Sequence, residues 1–581
     1  MRRRTFVLLA PAAFTGLRAQ APQDVVLQAM ADELERSRSL RIMSSDLPYY
    51  IEYALYDGES CTVTATLGAI ARSGRMRYRL PRVQVRVGDY QLDQTNYVGT
   101  DFSAGPRYDV ESFPIDNSYS VLRHHLWLAT DSAYRSAVEA FSRKRAALKN
   151  LSTAAQLSDF GPAEPLQLLL EARPRAYSEA LWKARIKKLS GVFLEFPHVA
   201  HSSVDVDTSW TTHYIATSEG TRVRVPEGVT AITIRASAYA ADGMPLRNSV
   251  VIHSLDPDRL PADAELERQA RAVAQDLTAL TQAPAGESYA GPVLFEGVAA
   301  AQMFAEVLGK NLAVPRRPVS NPGRPFPFVA GEFEGRIGAR VLPEWVDVVD
   351  DPAQIEWQGR PLLGHYRVDL EGIAPPKLTL IEKGVLKNFL LTRQPVQGVS
   401  GSNGRARLYG MFGHKAAGFG NLFVRASQSV SRDTLRKKLI ETCAQRGKPY
   451  GLIVRQMDFP SSAAFDEIRR LLAGSAGSSS GRVSLPVLVY RAYPDGREEL
   501  VRGLKFRSLN ARSLKDIAAA SDESFVFDFL DHDAPFAVMG GASFVSETSV
   551  VAPSVLIDDV ELEPLPTDYP RPPIVPAPQL K

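Results

Sequence analysis

Nine histidines and two cysteines are spread over 581 residues, so side chains suited to hold a metal or act as a nucleophile are few. His198-Val-Ala-His201 sets two imidazoles three residues apart, with Asp205 and Asp207 close behind. Such a set can ligate a divalent ion, and it occurs equally on plain surfaces and loops. Asp531-His532-Asp533 places an imidazole between two carboxylates, which is either a ligand set or a solvated acidic loop. His124-His125 stands before a helical pattern with no acidic partner nearby and reads as structural. Phosphate-loop and dinucleotide signatures are absent, and the Gly-x-Ser-x-Gly spacing at Gly477-Ser-Ser-Ser-Gly481 is no nucleophile elbow, because the serines around Ser478 have linker composition. Cys443 follows Leu435 and Leu439 at helical spacing, so it is expected on the buried face of a helix. Two cysteines as distant as Cys61 and Cys443 read as separate core residues rather than a bridge.

Positioning any such group requires a fold, and the length calls for two or three domains. Hydrophobic residues at 45% and charged residues at 23% fit a packed globular protein rather than a disordered or fibrous one. Lysine plus arginine exceed aspartate plus glutamate by 68 to 65, with no basic stripe, so no nucleic-acid partner is expected. Arg2, Arg3 and Arg4 precede the apolar run Phe6-Val7-Leu8-Leu9-Ala10, and Ala19-Gln20-Ala21 offers a small-x-small cleavage site. Residues 1–21 therefore read as an export signal. Arg3-Arg4-Thr5-Phe6-Val7 fits a twin-arginine signal as well as an ordinary secretory one. No later stretch reaches ~18 uninterrupted apolar residues, so no transmembrane segment is expected and the mature protein belongs in the periplasm or outside the cell.

Asp24 can cap a helix carrying Val26, Met30 and Leu34 on one face. Strand-like runs follow at residues 50–56, 62–70 and 83–92. Asp131 is expected to cap a helix with Tyr134, Val138, Phe141 and Leu148 in its stripe. Another helix spans residues 264–280, with Leu266, Val273, Leu277 and Leu280 on one face, and a further one starts near Phe295. Beyond it strands dominate, with a hairpin over residues 377–391 turning at Lys383-Gly384 and strands at 487–490 and 555–560. The fold class is α+β. An N-terminal α+β domain over 22–285 precedes a C-terminal domain over 286–562 rich in strands. Residues 473–481 form a Gly/Ser loop, and 563–581 a Pro-rich tail.

Four stretches occur in an order that resembles the TldD/PmbA (TldE) family, known also as modulator of DNA gyrase. They are Gly338 through Asp351, ending in paired aspartates; Asp369-Leu-Glu-Gly372 with the hairpin Leu380-Ile-Glu-Lys-Gly-Val-Leu-Lys-Asn-Phe-Leu390; Ser402-Asn-Gly-Arg405; and Pro553-Ser-Val-Leu-Ile-Asp-Asp-Val-Glu561. The N-terminal half resembles the family in outline, through Thr217-Ser-Glu-Gly-Thr221. The resemblance implies a C-terminal domain of curved antiparallel sheet and dimers enclosing a lumen. It also implies pairs in which a TldD-type chain carries the metal and a PmbA-type chain does not, acting on extended or unstructured peptides.

In the TldD-type chain the resemblance implies His-Glu-x-x-x-His on a helix, completed by a late cysteine, with the glutamate serving zinc-bound water. Here the corresponding run is Phe295-Glu296-Gly297-Val298-Ala299-Ala300, and the late stretch reads Val538-Met539-Gly540-Gly541-Ala542-Ser543. Glu296 remains; both histidines and the cysteine do not. The expectation is a metal-site-less, PmbA-like subunit with no cofactor of its own, paired with a metal-bearing paralogue or with itself. Glu296 is then a remnant with a role in peptide binding, or a helix N-terminal acid favoured by the macrodipole. An active metallopeptidase with a zinc site rebuilt from Glu296, His532 and Asp531 is the alternative, as is a homodimeric envelope protein that binds peptides.

Overall fold

The computed structural model describes residues 24–41, 47–98, 113–149, 157–171, 178–320, 328, 330–399, 401–409, 415–460, 483–532 and 545–565. The expected export signal, the Gly/Ser loop, residues 538–543 and the tail beyond 565 lie outside the described residues, as does the side chain of His532.

Two sheets organise the chain. In the first, α1 (Val25–Ser37) leads into β1 (Pro48–Thr66) and β2 (Ala69–Val87). Asp24 caps α1 as expected, accepting from the amides of Val26 and Leu27 at 3.1 Å. The runs at 50–56 and 62–66 prove to be one strand. The chain reverses at Leu67-Gly68, both at positive φ (46° and 76°), the two-residue turn whose twist suits a tight hairpin. Next come α2 (Tyr119–Lys149), β3 (Gln167–Leu169), α3 (Glu179–Gly191), β4 (His201–Thr217), β5 (Arg222–Tyr239) and β6 (Pro245–Ser254). The strand order is β2-β1-β4-β5-β3, with β6 also on β5. Asp131 does not cap α2. It lies mid-helix and pairs with Arg135 one turn on at 2.7 Å, because Leu122, Leu126 and Ala129 extend the buried stripe well before it.

The 20-residue helix α4 (Asp263–Gln282) joins the halves. Its Leu266, Val273, Leu277 and Leu280 pack in one core with Ile232 and Ile234 of β5, and Leu488 and Leu500 of the second sheet join the same core. That sheet comprises β7 (Tyr289–Phe295), β8 (Val346–Asp350), β9 (Leu378–Glu382), β10 (Val385–Leu386), β11 (Asn421–Ala426), β12 (Gly451–Met457), β13 (Pro486–Ala492), β14 (Glu498–Val501), β15 (Leu504–Phe506), β16 (Ile517–His532) and β17 (Val545–Pro564). The order is β10-β9-β8-β11-β17-β7-β12-β13-β14, with β15 and β16 also on β17. Antiparallel pairings dominate, while β11–β17 and β7–β12 are parallel. The last strand reaches Pro564, so Glu563 and Pro564 belong to the sheet, opposite Lys505 and Leu504, and not to a tail. Helix α5 (Val298–Met303) covers one face and α6 (Arg432–Gln445) the other. No helix among the described residues is long and apolar enough to cross a membrane.

The ordered motifs converge on buried polar joints. The β9–β10 turn uses Lys383 and Gly384 at positive φ (48° and 73°), and a Cβ on Gly384 would meet the Leu342 carbonyl oxygen at 2.2 Å. Asp350, last of β8, pairs with Arg405 at 2.8 Å, both side chains fully buried, and its second oxygen accepts from the Gly420 amide. Asp369 folds its own loop by accepting from the amides of Glu371, Ile373 and Ala406. Glu219, in the turn between β4 and β5, grips Arg393 through two bonds of 2.7 and 2.5 Å, and Lys415 reaches Glu52 at 2.5 Å, so two ion pairs tie the first sheet to segments of the C-terminal half. Breaking a buried pair leaves an uncompensated charge and costs about 3–5 kcal/mol. Arg405→Ala is therefore expected to lower unfolding free energy by about that amount in urea titrations; a loss under about 1 kcal/mol would show the joint to be dispensable.

Candidate functional site

Strand alternation decides what Glu296 meets. On β7, Val293 and Phe295 point into the core beneath α5, whereas Leu294 points to the opposite face and packs with Leu435, Leu439 and Cys443 of α6. Glu296 follows in register with Leu294, and Gly297, at φ 66°, then turns the chain into α5. On the neighbouring β12, Leu452 and Val454 enter the first core and Ile453 the second, so Arg455 also falls on the α6 side. A bulge between Val454 and Gln456 interrupts the ladder there, the device by which sheets re-aim a side chain.

The outcome is a carboxylate enclosed by guanidinium groups. Arg432 Nε donates to Glu296 Oε1 at 3.0 Å. Arg436, one turn further along α6, donates to Oε1 at 2.8 Å and Oε2 at 3.0 Å. Arg455 Nε donates to Oε2 at 2.7 Å, and its Nη2 reaches both oxygens of Glu498 on β14, at 2.9 and 2.8 Å. The Arg455 guanidinium also lies over the Tyr490 ring, 4.4 Å from its centre. Glu296 is 4% exposed. Burial pushes its carboxyl up, but the bonds from Arg432, Arg436 and Arg455 outweigh burial and hold it down at about 2. Beside it opens a cavity of about 230 Å³ lined by Glu296, Gly297, Val298, Arg432, Arg455, Glu523 and Phe525.

These residues do not fit a zinc ion. Phe295 and Ala300 are fully buried in the apolar core, and Phe295 stacks on Phe506 with ring centres 5.7 Å apart. Neither offers a donor atom at any protonation state. Both oxygens of Glu296 are committed to cations that would repel a divalent ion. The helix-terminal reading of Glu296 is corrected too: it lies ahead of α5 but bonds arginines, while the Gly297 amide donates to Ser554.

The other candidates do not assemble. Among the described residues no three His, Cys, Asp or Glu side chains are grouped to hold a metal. His198 and His201 are exposed, and Asp205 accepts from Thr64 and Ser203. His124 and His125 lie within α2, His124 against Trp127 and His125 against Phe113. Asp531 is half-buried near the end of β16. Cys443 sits on the buried face of α6 and Cys61 in the first sheet's core, both unbridged. Arg432, Arg436 and Arg455 escaped sequence reasoning. One signal was present: Arg432 and Arg436 stand four apart, on a helix whose buried stripe is Leu435, Leu439 and Cys443.

Residues 288–563 match the family described as PmbA/TldA metallopeptidase C-terminal domain. A curated protein from Archaeoglobus fulgidus named "Metalloprotease" is 35% identical over 79 residues, a match spanning 14% of this chain and only 17% of that protein. Among solved structures, TldE from Thermococcus kodakarensis superposes with a TM-score of 0.56 at 14% identity, covering 92% of this chain and 99% of that one. A Thermotoga maritima protein described as a modulator of a DNA gyrase gives 0.55 at 16% identity, covering 88% and 96%. At these identities the structural likeness concerns the fold.

The Glu296 cluster carries a pH signature. A carboxyl held below its unfolded value stabilises the fold above about pH 4.5 and loses that contribution as pH falls toward 2. The unfolding free energies of the wild-type chain and Glu296→Gln should differ by a constant of about 1–3 kcal/mol near neutrality, and the difference should shrink below about pH 4.5 and vanish only toward pH 2. A difference that ignores pH would show that the carboxylate is not ion-paired.

Proposed function

Because the chain belongs to the TldD/PmbA family through residues 288–563, we propose that it is a peptide-handling subunit that does not perform the family's zinc chemistry. On this reading it completes a dimer with a metal-bearing TldD-type protease. The observation that carries the proposal is the substitution of a closed apolar and guanidinium environment for a ligand set. Phe295 and Ala300 are buried in the core, and Glu296 has both oxygens bonded to arginine. The likeness in fold to a TldE fits such a pairing.

Extended peptides suit such a subunit through β-augmentation, in which a strand's free edge supplies backbone hydrogen bonds with little demand on sequence. The second sheet ends at β14, and Glu498 on that edge strand reaches the arginine cluster. A peptide paired along β14 would thus run beside the site.

The chain alone is expected to leave unstructured peptides intact. Addition of a subunit with intact His-Glu-x-x-x-His should produce cleavage that a chelator abolishes, together with a mixed dimer in solution mass measurements. Chelator-sensitive cleavage by this chain alone would overturn the proposal. A stable self-dimer that ignores the added subunit would replace the mixed pair with a homodimeric peptide binder.

A further inference from the structure

Arg432 differs from its two companions. Arg436 and Arg455 spend their guanidinium groups on Glu296 and Glu498. Arg432 gives only Nε to Glu296, and among the described residues its terminal nitrogens make no hydrogen bond. Its side chain is 54% exposed and faces the 230 Å³ cavity. Three guanidiniums meet two bonded carboxylates, the buried Glu296 and the exposed Glu498, and Glu523 on the cavity's lining is the third acid that faces them. Val298 and Phe525 supply an apolar wall.

A planar fork with two free terminal NH2 groups, held in orientation through its Nε, is the geometry that receives a carboxylate by paired hydrogen bonds. The structure therefore points to a carboxylate-binding pocket, and we infer that it takes the C-terminal carboxylate of a bound peptide, with the last side chain against Val298 and Phe525. This rests on the peptide-handling reading and adds an end-recognition rule to it. Glu296 acts here as a positioning residue: it holds Arg432, Arg436 and Arg455 together and need not touch the ligand. A carboxylate arriving at Arg432 competes with Glu523 for the same charge, so removal of Glu523 should tighten binding. Acidic side chains offer the same chemistry as a peptide terminus, and the test has to separate them.

The test uses the full chain and three N-acetylated hexapeptides of Ala-Gly-Ala-Ala-Ala followed by one final residue. The first ends in Phe as a free acid, the second in Phe as a carboxamide, and the third in Glu with an amidated terminus. Calorimetry or fluorescence anisotropy should show the free acid binding at least tenfold tighter than either amide. Arg432→Ala should erase that preference by weakening only the free acid, Arg432→Lys should restore part of it, and Glu523→Gln should increase it. Equal binding of acid and carboxamide would overturn the pocket while leaving peptide handling intact. Binding of the Glu-amide as tightly as the free acid would overturn terminus recognition, and no binding of any peptide would overturn both readings.

Discussion

A carboxylate in an interior cannot stand alone, and the disposition of this protein's central site follows from how Glu296 is satisfied. Where a metal centre would use a glutamate to handle a proton on bound water, this chain surrounds it with three guanidinium groups. The arrangement draws on four separate pieces of chain. β7 sets the face, α6 supplies two arginines one turn apart, the bulge in β12 turns a third inward, and β14 supplies Glu498 to balance it. Three of these pieces, β7, α6 and β12, are also fixed by apolar packing, since Leu294, Leu435, Leu439 and Ile453 form one cluster beneath the charges. The core determines the geometry and the charges determine the chemistry.

The same logic recurs where the first sheet meets segments of the C-terminal half. Arg393 is sandwiched near the Phe160 ring, 4.0 Å from its centre, while its guanidinium holds Glu219 and its amide donates to Glu371. Lys415 bridges Glu52 on β1 and the Leu370 carbonyl. These contacts place the Asp369-Leu-Glu-Gly372 and Thr217-Ser-Glu-Gly-Thr221 motifs in one structural joint, which gives both a role in architecture. The short motifs of the C-terminal half are thus mostly turn and joint chemistry, and the residues of the Glu296 cluster belong to none of them.

Much of the architecture was legible in sequence. Asp24 with its apolar stripe, the stripe of α4, the Lys383-Gly384 turn and the buried face of α6 all followed from period and capping. What escaped had specific causes. Asp131 offered a cap-like residue inside a helix whose apolar period had already begun, and local chemistry lost to packing. The long β1–β2 hairpin looked like three strands because Gly58 and Gly74 interrupt the pattern while both remain in the ladder. That Phe295 and Ala300 offer no donor atom was visible in sequence, but the arginines around Glu296 were not. They come from residues 136 to 159 positions away, brought together only by the parallel pairing of β7 with β12 and the docking of α6.

The account stands on the claim that guanidinium groups, rather than a metal, satisfy Glu296. Its most direct measurement is the zinc content of the purified chain after dialysis against excess zinc and then buffer, by elemental mass spectrometry. The account predicts a ratio far below one zinc per chain, unchanged in Glu296→Gln and His532→Ala. One tightly held zinc per chain, lost in either variant, would contradict it.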